Sequence, residues 1–160
     1  MQAKTFSFTE TQRFTQWWIW LFLIGLACIP LFGIYYQLIK GVPFGNNPMS
    51  DQGLVFFSVF VFGFIWFFYS IKLLTKIDAT GIAISLTPFT KKHFNWDTVK
   101  TIEVIKYNPL FTGGFGLRYT FKYGTVYNIK GNKGFLITLK TGKKYLIGTQ
   151  KAEELKKLLQ

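Results

Sequence analysis

The stretch Gly113-Gly114-Phe115-Gly116, followed two positions later by Arg118, holds the residue types that most invite chemistry. Backbone amides freed by glycine can cradle a phosphate, and a guanidinium beside them can hold a carboxylate or phosphate through two parallel hydrogen bonds. The spacing is not GxGxxG, and no helix follows to aim its N-terminus at an anion. These glycines are therefore expected to supply positive φ or a bulge in a strand connection. Arg118 has a second reading, an ion pair with Glu103 or Asp97. His93, the single histidine, stands beside Lys91 and Lys92. It has no cysteine partner for a metal site in this part of the chain, and as a general base it finds only Asp97 nearby to orient it. Trp96-Asp97 reads as a core or groove aromatic leading into an Asx turn. No triad, carboxylate pair or cofactor loop emerges, so binding without catalysis, metal or cofactor is expected.

The lysines are a broader signal. Of nineteen basic residues sixteen lie from Lys72 onward, against five acidic ones there. Juxtamembrane lysines are drawn to an anionic leaflet by about 1 kcal/mol each, within a Debye length of about 8–10 Å. Lys72, Lys76, Lys91 and Lys92, with Arg118, are the candidate lipid- or anion-binding residues. The competing account is that they cover solvent-facing strand positions and keep sheet edges from pairing. Nucleic acid is not expected as a partner, because Tyr119, Phe121 and Tyr123 alternate with polar residues as a buried strand face does.

Those residues depend on what anchors them. Gly53 to Leu74 is apolar on every face and uncharged until Lys72, long enough at about 1.5 Å per residue to cross a hydrocarbon core about 30 Å thick. Trp17 to Tyr36 is a second such run, with Trp17, Trp18 and Trp20 at one boundary and Tyr35 and Tyr36 at the other. Pro30 is expected to kink it, and Gly25, Ala27 and Gly33 could allow close helix approach. The connection contains Gly41, Pro43, Gly45 and Pro48, which is turn chemistry. Lys4 and Arg13 precede the hairpin and Lys72 and Lys76 follow it, so the positive-inside rule places both termini in the cytoplasm. Residues 1–16 are expected to be an interfacial segment, 17–74 the transmembrane hairpin, and 75–160 a cytoplasmic domain. An accessory subunit of a transport or channel complex is the alternative. Neither run carries a charged or amide residue to line a path. The lone Cys28 excludes an intramolecular disulfide.

Beyond residue 74 the period becomes two. Ile82, Ile84 and Leu86, then Phe135, Ile137 and Leu139, alternate with smaller or polar residues, and Gly- and Asn-rich turns separate the runs. About seven short strands in an antiparallel meander are expected. TQKAEELKKLLQ then reads as an amphipathic helix, N-capped by Thr149, with acids early and lysines late.

Such a meander closed by one helix resembles the pleckstrin-homology-like superfold. With two preceding apolar helices, the chain is similar to small bacterial membrane proteins carrying that domain. The resemblance is carried by Tyr107-Asn108-Pro109, Gly113 to Arg118, Tyr127 to Gly134, Gly142-Lys143-Lys144 and Leu146 to Gln150. It implies a fold and a topology in a bacterial inner membrane rather than a reaction. It also marks Gly113, Gly114, Gly116, Asn132, Gly148, Thr149 and Gln150 as a loop motif that can face a ligand. The partners that fit are the anionic lipid leaflet, a protein partner or a second copy of the chain.

Overall fold

The computed structural model describes residues 7–159, which fall into two compact units, Thr15–Ser70 and the remainder. In the first unit, α1 (Trp17–Gly33) continues as a π-helical stretch, Ile34–Ile39, and α2 (Asp51–Ser70) follows a loop. The helices, 23 and 20 residues long, are each sufficient in length and composition to span a membrane. Only 17% of each apolar window is buried within the protein. A core helix of a soluble protein would be mostly covered, whereas here Trp17, Phe22, Phe56 and Trp66 stand exposed.

The helices meet along Leu54, Ser58 and Val61, which share one stripe of α2, and Leu23, Pro30 and Gly33 of α1. At Gly33 a Cβ would stand 2.8 Å from Leu54 Cδ1, so the missing side chain sets the approach there. Gly25 has open space around it. Pro30 does not interrupt the helix. The irregularity lies four residues later, where Lys40 N–H bonds the Tyr35 carbonyl in the wider π pattern. Ser58 and Ser70 hydroxyls donate back to Leu54 and Phe67 carbonyls, which satisfies them without a partner helix.

Among the described residues, the second unit holds nine strands in two sheets. The first sheet has the order β1-β2-β3-β4, all antiparallel: β1 (Phe8–Arg13), β2 (Lys72–Asp78), β3 (Gly81–Thr87) and β4 (Thr90–Asn95). The second is built from β5 (Val99–Lys106), β6 (Gly116–Thr120), β7 (Gly124–Asn128), β8 (Lys133–Leu139) and β9 (Lys144–Gly148). Its order is β5-β8-β9-β7-β6, with β7 and β9 parallel, and α3 (Ala152–Leu159) follows. This corrects the simple seven-strand meander: one strand comes from the N-terminus, and one pairing is parallel.

Two boundaries also change. Residues 8–13, expected as an interfacial segment, pair with β2 in continuous register from Phe8↔Ile77 to Arg13↔Lys72. The second apolar run ends as helix at Ser70, because Leu73, Thr75 and Ile77 alternate inward from there as a strand. The core lies between the sheets, with Phe8, Leu73, Ile77, Ile82, Ile84 and Leu86 facing Tyr127, Phe135, Ile137 and Ile147. Each such side chain contributes about 1.5–3 kcal/mol when fully buried. Phe94 and Tyr145 bridge the sheets with ring centroids 4.8 Å apart. A smaller cluster, Tyr107, Val126 and Leu146, occupies the other face of the second sheet.

Candidate functional site

Strand pleating decides which lysines meet. On β2 the inward residues Leu73, Thr75 and Ile77 leave Lys72, Leu74 and Lys76 on the outer face, and on β3 Ala83, Ser85 and Thr87 face outward likewise. The register sets Lys91 opposite Ser85 and His93 opposite Ala83 on β4. Lys72, Lys76, Lys91 and His93 thus line a single open groove of about 600 Å³, and Lys92 only borders it, because it pairs with the inward-facing Ile84. Its floor is small and hydroxylic, with Ser85 and Thr87 oxygens 3.4 Å apart. Ammonium groups above hydroxyls can make charge-assisted hydrogen bonds to phosphate or carboxylate oxygens.

The charge is not evenly free. Lys76 Nζ lies 3.1 Å from Asp78 Oδ2, and Lys92 Nζ sits 5.2 Å from the Tyr145 ring centroid. The Asp78 carboxylate is held well below the usual carboxylate range, chiefly by the Thr80 hydroxyl, then by the Thr80 amide and Lys76. Arg13 opposes Lys72 across the β1–β2 ladder and so belongs to the same outer face. The sequence reading missed Arg13 because its strand was taken for a surface segment.

Arg118 stands apart, on β6 in the other sheet. In place of an ion pair with Glu103 or Asp97, its Nε donates to the Gly113 carbonyl at 3.1 Å. The paired glycines do adopt positive φ, 82° and 93°. Their amides, however, turn inward to the Leu110 and Pro109 carbonyls, so the loop offers no anion cradle from them. Asn132 lines a separate cleft with Lys106, Phe111 and Lys122.

Residues Gly148 and Thr149, expected to be ligand-facing, are buried. A Cβ at Gly148 would stand 3.1 Å from the Tyr107 hydroxyl and from Asn128 Cβ. Gln12 Nε2 donates to the Gly148 carbonyl at 2.7 Å, and the Glu10 carboxylate accepts from the Thr149 hydroxyl and the Gln150 amide. This segment is an internal latch. Thr149 is not the α3 N-cap either, since the helix begins at Ala152 and the Thr149 hydroxyl accepts from the Lys151 amide instead. Tyr119 and Phe121, expected on a buried face, are exposed.

Among the described residues, no three His, Cys, Asp or Glu side chains gather as a metal site needs. Trp96 Nε1 donates to the Asp78 carbonyl at 2.9 Å, which makes that ring part of the scaffold. The chain matches no protein-family model, and no curated protein matches it.

Proposed function

We propose that this chain is a membrane-anchored binding module whose groove docks on anionic headgroups of the bilayer that holds α1 and α2. The observation that carries the reading is the convergence of Lys72, Lys76 and Lys91 on one groove of a sheet whose β2 begins two residues after α2 ends. Lysines so placed feel the negative surface potential of a leaflet within a Debye length. Asp78, a carboxylate beside the groove through Lys76, is engaged by Thr80 and Lys76, which suits holding an anion rather than transforming one. In this reading both termini face the cytoplasm of a bacterial inner membrane, following the bias of basic residues. The sheets closed by α3 are a pleckstrin-homology-like domain.

The full chain in proteoliposomes tests this by lysine acetylation footprinting. Lys72 and Lys91 are expected to be protected in vesicles containing phosphatidylglycerol and to lose protection in 0.5 M salt, where the Debye length falls to about half its physiological value. Equal labelling in neutral and anionic vesicles would overturn the docking.

A further inference from the structure

Two neighbouring turns of the second sheet carry large apolar side chains in the open. Leu110 and Phe111 are 85% and 86% exposed, Tyr119 is 74% exposed and Phe121 fully so. Phe111 and Lys106 line one side of a cleft of about 740 Å³, and Thr120, Lys122 and Tyr123 line the other. The exposure of Tyr119 follows from the strand order. Tyr145, Thr125 and Tyr119 share one row across β9, β7 and β6, on the face that Phe94 covers at Tyr145. Tyr145 is 9% exposed, so the cover of the four-stranded sheet ends before β6.

The 108–113 turn is fastened. Leu110 N–H bonds Asn108 Oδ1, the buried Thr112 hydroxyl bonds the Pro109 carbonyl, and Arg118 ties Gly113 to β6. The surrounding charge has one sign: Lys106 and Lys122 accompany the apolar residues, and no acidic residue occurs between Glu103 and Glu153. A second copy seated here would bring like charges together. An anionic bilayer interface matches both features, since aromatic rings settle at the headgroup boundary and lysines pair with lipid phosphates.

From this we infer that the 110–111 turn and the 119–121 segment form an insertion element that dips into the headgroup–acyl boundary of the bilayer holding α1 and α2. It deepens the docking reading and rests on it, adding an apolar contact to the electrostatic one. The test uses the full chain with Cys28→Ser and one cysteine at a time, Leu110→Cys, Phe111→Cys, Phe121→Cys or, as a control on α3, Lys157→Cys. Each carries an environment-sensitive fluorophore in proteoliposomes containing phosphatidylglycerol and lipids with a spin label high on the acyl chain. Quenching at 110, 111 and 121 is expected to be at least about twice that at 157. Quenching no greater than at 157 at all three would overturn the insertion, even if the groove lysines were protected. Strong quenching in neutral vesicles as well would support the insertion and show that its apolar contact does not need lipid charge, while the protection of Lys72 and Lys91 separately decides the docking.

Discussion

The Glu10 carboxylate accepts the hydroxyl hydrogen of Thr149, joining two residues 139 positions apart in the protein interior. Glu10 is 5% exposed and Thr149 1%, and the second carboxylate oxygen takes the Gln150 amide at 2.7 Å. The pair fastens the N-terminal strand to the segment that starts α3. Thr149→Val leaves a buried carboxylate oxygen short of a donor and is expected to cost about 1–3 kcal/mol. Thr149→Ser is expected to recover most of it. Urea unfolding of the full chain in detergent, followed by intrinsic fluorescence, separates the two, and equal stability of both variants would contradict the latch.

The helix hairpin offers a matched pair of glycines. At Gly33 an added Cβ would press on Leu54 Cδ1, while at Gly25 nothing lies within 4 Å. Gly25→Ala is expected to be neutral or stabilising by up to about 1 kcal/mol, the helix-propensity difference. Gly33→Val, β-branched and larger, is expected to force the helices apart. Crosslinking between cysteines placed on facing positions of α1 and α2 reads the outcome, with loss of crosslinking for Gly33→Val alone.

How much of this was legible in the sequence depends on what each pattern reports. The apolar runs were legible because length and uniform hydrophobicity are local properties. So were β3 and β8, where Ile82, Ile84 and Leu86, and Phe135 and Ile137, alternate cleanly and are buried. β1 was not, because its inward face carries Glu10 and Gln12, whose partners at Gly148 to Gln150 are distant in sequence. Tyr119 and Phe121 alternate as a buried row does, but alternation establishes only a shared face; whether a strand lies over it depends on sheet order. The groove was half legible. Its lysines could be named, yet only the register of β2, β3 and β4 shows that Lys72, Lys76 and Lys91 share a face and that Lys92 and Arg118 do not.

Asp78 links acid stability to groove charge. Its carboxyl is held low by Thr80 and Lys76, so the sign is that of a depressed acid. Its contribution is fully present above the unfolded carboxylate value of about 3.9 and is lost as pH falls toward the lower folded one. Asp78→Asn is expected to lower stability at neutral pH, with the difference from the parent protein shrinking as pH falls below about 4. Thermal unfolding at several pH values follows this. A gap that stayed constant through that range would assign the effect to packing instead.

The same substitution releases Lys76 from its 3.1 Å pairing, so it should act oppositely on lipid docking. Docking strength here is the protection of Lys91 in anionic vesicles, titrated against salt. Each groove lysine is worth about 1 kcal/mol near an anionic surface, roughly fivefold in affinity. Lys72→Glu and Lys91→Glu are each expected to shift the salt midpoint down, and Asp78→Asn to shift it up. Arg118→Gln should leave it in place, because that guanidinium is spent on the Gly113 carbonyl and lies on the other sheet. A midpoint that moved as far for Arg118→Gln as for Lys72→Glu would mean that total charge, and not the groove, sets the contact.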